Sequence, residues 1–258
     1  MFIDSHAHLD MEGFDSDRDE VIQRALSADV KQLITVGIDV NSSLKAISLA
    51  EKYPSAFAAV GIHPHNADVV DKKDLKRIES ISAEKKVVAI GEIGLDFYRN
   101  LSSRHNQRKR FKQQLDIAMQ CNLPVVVHSR EAHEDVLEIL SCFQGSESRG
   151  VIHCFSGGID LAGAFIEMGY CISIAGTITF ANASPVHEVV TGISLDRMLI
   201  ETDSPFLSPI PYRGRRNEPS RVIHTAQKVA EIRGISLEEV AARTSKNARQ
   251  LFRLPFTQ

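Results

Sequence analysis

The sequence predicts an α/β fold, a (β/α)8 TIM barrel, on three observations. Eight short apolar or β-branched runs recur at an average spacing close to the roughly 30 residues of a βαβ unit. Longer amphipathic stretches lie between them, as crossover helices of a parallel sheet require. The rival open doubly wound sheet needs a Gly-rich phosphate turn after its first strand, and residues 5–9 read SHAHL instead.

In chain order, the predicted strands are 2–5 (FIDS), 32–36 (QLITV), 56–61 (AFAAVG), 87–91 (VVAIG), 124–128 (PVVVH), 150–153 (GVIH), 170–174 (YCISI) and 197–201 (RMLIE). Amphipathic patterns predict helices over 17–28, 42–52, 71–81, 104–120, 132–142 and 161–168, with two more, 220–233 and 237–252, after the eighth strand. No low-complexity stretch, linker or further repeat divides the chain, so a single domain over 1–258 is expected. The Pro-rich segment 205–219 is the longest irregular piece, and loops of that length in compact domains are commonly functional.

Composition excludes several classes. At 258 residues and 43% hydrophobic the chain can bury a large core, yet no segment approaches the ~20 apolar residues of a membrane span. The N-terminus enters strand-like sequence without a basic leader, so a cytoplasmic protein without membrane association is expected. Cys121, Cys142, Cys154 and Cys171 form no Cys-x-x-Cys pair, which argues against a zinc ribbon or disulfide framework and for buried thiols. A net charge of −3 confines any nucleic-acid contact to local basic patches. No obligate protein partner is evident.

The first ten residues, MFIDSHAHLD, place His6 and His8 two apart on a strand, so both imidazoles point one way. Barrel enzymes carry their reactive groups where strands end. Those ends hold His6 and His8 after strand one, His63 and His65 after three, Glu92 after four, His128 at five, His153 at six and Asp203 after eight. Six of the ten histidines therefore converge, while His105, His133, His187 and His224 read as ordinary surface residues.

Carboxylates sunk in a barrel mouth are costly unless a cation offsets them, and imidazole mixed with carboxylate suits divalent transition metals. Six candidate ligands exceed the three or four protein ligands of a single hydrolytic zinc. The expected arrangement has His6, His8 and Asp203 on one ion, His128 and His153 on a second, and Glu92 on both. A hydrogen-bonded core network without metal is the alternative.

Around this centre, Asp203 can also accept a proton, and His63 and His65 can line the pocket or support a ligand. Glu201 shares the strand face of Asp203 and can orient a ligand or pair with an Arg. Arg130, two residues after His128, is the best phosphate contact, followed by Arg213, Arg215 and Arg216. The basic run Arg104, Arg108, Lys109, Arg110 and Lys112 reads mainly as a solvated helix face.

Taken together, FIDSHAHLD, VGIHPH (60–65), GEIGLDFY (91–98), VVVHSRE (125–131), HCFSGG (153–158), ETDSPFL (201–207) and RGRRNEP (213–219) resemble the TatD family of metal-dependent deoxyribonucleases, in order and over the whole chain. The resemblance implies a TIM-type barrel and a divalent metal centre whose ligands match His6, His8, Glu92, His128, His153 and Asp203. It also implies 3′ to 5′ exonuclease or endonuclease action on DNA. Two cations per chain (Zn, Mn or Mg) would activate a water for in-line attack on phosphorus, with Asp203 and Glu92 catalytic and His63, Arg130, Arg213 and Glu201 toward DNA or another phosphodiester substrate. The alternatives are a hydrolase of a cyclic amide, lactone or small phosphoester, and a non-catalytic metal-binding scaffold.

Overall fold

The computed structural model describes residues 1–143 and 149–256. Eight strands, β1 (Phe2–Ala7), β2 (Val30–Val36), β3 (Ala56–Val60), β4 (Val87–Asp96), β5 (Val125–Arg130), β6 (Gly150–Ile152), β7 (Cys171–Ile174) and β8 (Met198–Ile200), pair in parallel and in sequence order. The seam between the last and first strands is drawn together by an Ala7–Ser204 bridge, by Asp203 N donating to His6 O at 2.9 Å and by His8 N donating to Ser204 O at 2.7 Å. This is the expected eight-stranded barrel.

The helices are α1 (Arg18–Ser27), α2 (Val40–Lys52), α3 (Lys72–Ile81), α4 (Arg104–Cys121), α5 (His133–Ser141), α6 (Ile159–Glu167), α7 (Ser184–Gly192), α8 (Val222–Arg233) and α9 (Leu237–Phe252). Local chemistry sets their ends. Asp39 and Ser42 form a reciprocal capping box on α2, as Asp71 and Asp74 do on α3. Helix α8 stops at Gly234 with φ 65°, a backbone glycine adopts without a Cβ penalty.

Alternation along the strands separates two cores. One parity of strand residues, including Val60, Ile90, Val127 and Ile200, packs with helix side chains such as Val21, Ile78, Val136 and Val229. The other parity, with Ile34, Ala59, Val126, Val151 and Leu199, fills the barrel and meets Leu251 and Phe252 of α9. Gln32 Nε2 donates to Pro255 O at 2.9 Å, so the C-terminal segment closes the end of the barrel opposite the mouth.

Three expectations are corrected. Strand β4 runs five residues past its predicted end, carrying Asp96 into the sheet. Helix α7 was not expected, because its short Pro-started span with Val186, Val189 and Val190 carries little helical signal. Of the four cysteines, all unpaired, only Cys171 is buried, and Cys142 is exposed. No helix among the described residues is long and apolar enough to cross a membrane.

Candidate metal centre

Strand ends deliver the ligands, but simple alternation would not aim all of them inward. Ile3 belongs to the barrel-filling parity, which would leave His6 outside; a register shift between Asp4 and Ala7 turns it in. Likewise, Ile90 packs toward the helices, and a register shift between Ile90 and Ile93 lets Glu92 enter the barrel. Close approach of β4 to β5 requires Gly94: at φ 138° a Cβ there would lie 2.0 Å from the His128 carbonyl oxygen. Asp203, at φ 55°, and Cys154, at φ 44°, take left-handed backbone where β8 and β6 end, a conformation costly for side chains with a Cβ and concentrated at functional sites.

The two oxygens of Glu92 face different partners. Oε2 stands 3.5 Å from His6 Nε2 and 3.6 Å from His8 Nε2. Those nitrogens are 3.1 Å apart, and Asp203 Oδ1 lies 3.7 Å from the first and 3.4 Å from the second. Four ligands about 2.1 Å from one tetrahedral ion stand about 3.4 Å apart, so these five separations are those of a cage around a single cation. The donor set therefore fits a divalent metal.

On the other side, Glu92 Oε1 lies 2.6 Å from His128 Nδ1, 2.8 Å from His153 Nε2 and 3.4 Å from His63 Nε2. The first two are hydrogen-bond lengths: imidazole protons hold the place that a second cation could take. His128 Nδ1 and His153 Nε2 are 3.3 Å apart, again a ligand-to-ligand separation.

Behind the ligands, a second set of groups fixes the rings. His8 Nδ1 donates to Val36 O at 2.8 Å, His128 Nε2 reaches Asp96 Oδ2 at 3.2 Å, and His153 Nδ1 reaches Glu201 Oε1 at 3.2 Å. Each contact leaves the opposite nitrogen for the centre. His6 stacks on His153 with ring centroids 4.0 Å apart, and its buried Nδ1 has no hydrogen-bond partner.

Charge follows this geometry. Burial opposes ionisation of Glu92, yet His153 and His63 hold its carboxyl well below the usual carboxylate range. Burial works against a charged His8 as well, but Asp203 and Glu92 raise it to about 9. Glu92 and Glu201 likewise push His153 well above its ordinary value against the cost of burial. His63 is lowered to about 4 by burial.

The structure thus brings together His6, His8, Glu92, His128, His153 and Asp203, with His63 at their edge. Arg130 lines the cavity above them, its guanidinium 4.1 Å from the Tyr98 ring centroid and without a carboxylate partner among the described residues. Two expected substrate contacts lie elsewhere. Glu201 is fully buried behind His153, where it also accepts from Cys154 N at 2.6 Å. Arg213 sits over the Phe180 ring at 4.4 Å, and Arg216 is committed to Asp17 and Gly13 O.

Sequence reasoning missed Asp96, which is 1% exposed and bonded to both His128 and His65. It lies four residues after Glu92 in a strand expected to stop at 91, so nothing marked it as inward. His133 is another correction: it is half-buried, with Ser129 Oγ 2.7 Å from Nδ1. The mouth opens into two connected lobes of about 510 Å³ and about 380 Å³, which share His128, Arg130, His153, Asp203 and Leu207.

Comparison with known proteins bears on this centre. A family profile described as TatD related DNase matches residues 3–253. The chain is 43% identical, over 98% of its length and all of the relative's, to the uncharacterized metal-dependent hydrolase YabD of Bacillus subtilis (strain 168). It is 34% identical to the 3'-5' ssDNA/RNA exonuclease TatD of Salmonella typhimurium (strain LT2), covering 98% of this chain and 99% of that one. The crystal structure of YJJV, a TatD homolog from Escherichia coli K12, matches with a TM-score of 0.94 at 32% identity and covers 98% of each chain.

Proposed function

The chain belongs to the TatD related DNase family, metal-dependent hydrolases acting on ester bonds, and from that premise we propose that it cleaves phosphodiester bonds of DNA at a centre of two divalent cations. The observation that carries the proposal is Glu92, whose two oxygens face two separate ligand sets, His6 with His8 and His128 with His153. A carboxylate placed in this way can be shared between two ions.

His6, His8 and Asp203 would hold one cation, His128 and His153 the other, and Glu92 both; Zn and Mn suit the nitrogen-rich set, and Mg its oxygens. When bound, the cations would supply an activated water and neutralise charge developing on the phosphate oxygens. The protein's own groups do the rest. Asp203, at the cavity wall, accepts the proton of the attacking water. Glu201, Asp96 and the Val36 carbonyl hold the imidazoles in the orientation the reaction needs. Arg130 takes a phosphate oxygen, and its unpaired cation favours an anionic phosphodiester over a neutral lactone or amide. Four unpaired thiols suit a reducing compartment, so the cytoplasm is the proposed location.

The test is turnover of end-labelled single-stranded DNA by His128→Ala and Asp203→Ala. Both are expected to lose orders of magnitude in kcat with the fold kept by circular dichroism. Full activity in either variant overturns the assignment.

A further inference from the structure

The two lobes of the mouth differ in chemistry. The larger runs past His8, His63, Arg99 and Phe206. The smaller is built from the ends of β5 and β6 and the segment leading into α7. Phe180, Ala183, Pro185 and Val186 give it an apolar wall, while Ser129, Ser156 and Asn182 supply hydroxyl and amide groups.

Its size, about 380 Å³, falls at the low end of the roughly 300–1,000 Å³ typical of small-ligand pockets. That is room for one nucleotide, not for a length of strand. The walls are braced from behind. Arg213 lies over Phe180 at 4.4 Å, and His133 is within reach of both Ser129 Oγ, at 2.7 Å, and Ser156 Oγ, at 3.4 Å. Inorganic phosphate has no use for such an apolar wall, whereas a base stacks on one.

We propose that the smaller lobe is the binding site for the terminal nucleoside of the strand. One nucleotide sits with its base against Phe180 and its 5′-phosphate over the metal centre, and the remaining strand leaves through the larger lobe. This rests on the nuclease reading above and adds the position of the excised unit. The hydrolysis balances: the water oxygen bonds to phosphorus and the P–O3′ bond breaks. The 3′ oxygen of the shortened strand gains a proton, and a nucleoside 5′-monophosphate is left in the smaller lobe.

Metal-loaded wild type, Phe180→Ala and Val186→Trp are titrated with 2′-deoxyadenosine 5′-monophosphate and, separately, with inorganic phosphate. The nucleotide is expected to bind wild type more tightly than phosphate does. Phe180→Ala should weaken nucleotide binding about tenfold, and Val186→Trp, which fills the lobe, should do the same or more, with metal content and phosphate affinity unchanged. Nucleotide affinity unaltered in both variants, or no preference for nucleotide over phosphate in wild type, overturns the site. If wild type leaves DNA intact while nucleotide binding still depends on Phe180, the nuclease reading fails and the site stands. If DNA is shortened with the same KM by wild type and Phe180→Ala, and both bind nucleotide alike, the site fails and the nuclease reading stands.

Discussion

Asp96 Oδ2 lies 3.2 Å from Nε2 of His128, whose other ring nitrogen, Nδ1, faces Glu92 at 2.6 Å. The same oxygen is 2.9 Å from His65 Nε2, and the partner oxygen accepts from Arg99 N at 2.7 Å. Asp96 therefore touches no candidate ion but fixes the tautomer and tilt of a ligand to one. Asp96→Ala is expected to lower metal affinity about 10- to 100-fold, as loss of such supporting carboxylates commonly does. Metal titration of the folded variant checks this, and unchanged affinity would remove Asp96 from the centre.

Glu92→Gln keeps the shape of the side chain and removes its charge. Without that charge His8 and His153 lose an attractive partner on each side, and two cations lose the carboxylate they would share. The expected result is fewer bound ions per chain than wild type and a kcat lower by at least about two orders of magnitude. Elemental analysis after dialysis reads the first quantity. An undiminished metal content would show that Glu92 bridges nothing.

Arg130 is the cation at the mouth that no carboxylate neutralises among the described residues. Arg130→Ala is expected to raise KM for single-stranded DNA more than it lowers kcat. It should also reduce the slope of log affinity against log salt by about one, the signature of one lost phosphate contact. Arg130→Lys should recover only part of the loss, since the flat guanidinium fork is what matches the phosphate. An unchanged salt slope would mean that Arg130 does not touch the backbone.

What could be read from the sequence followed from period. His6, His8, His128, His153 and Asp203 sit at strand ends, and a barrel of βα units brings strand ends together whatever the loops do. Glu92 was recognisable by its place after strand four, although the register shift that aims it inward has no sequence signature. Asp96 escaped because GEIGLD was expected to leave the sheet, when it continues it. Glu201 was recognised as a possible orienting group but also taken toward the substrate; alternation put it on the right face, and only burial reveals that His153 stands between it and the cavity. Helix α7 and the lobe beside it were invisible, for the short run from Ser184 carries too few apolar positions to show a helical period.

The arginine-rich segment before α8 is tied to α1 by ion pairs, and this gives a pH dependence. Arg216 holds the carboxyl of Asp17 below its ordinary 3.8, and Arg24, outweighing the effect of burial, holds that of Glu218 below 4.5. With folded values lowered, the folded chain binds fewer protons than the unfolded chain in this range. The stabilisation is therefore complete above about pH 4.5 and is lost as pH falls through the lowered values. Because the pairs are largely exposed, Asp17→Asn should cost no more than about 1 kcal/mol at pH 7. Urea unfolding of wild type and variant at pH 7 and pH 3 should show that gap closing in acid; a constant gap would contradict the assignment.

Metal reconstitution tests the nuclease proposal most directly. The protein is stripped with chelator, reloaded separately with Mg, Mn or Zn, and incubated with end-labelled single- and double-stranded DNA beside a panel of lactones and cyclic amides. The expected result is no cleavage by stripped protein and restored shortening of single-stranded DNA with at least one metal, the panel remaining intact. Hydrolysis of the panel with DNA untouched under every metal would contradict it.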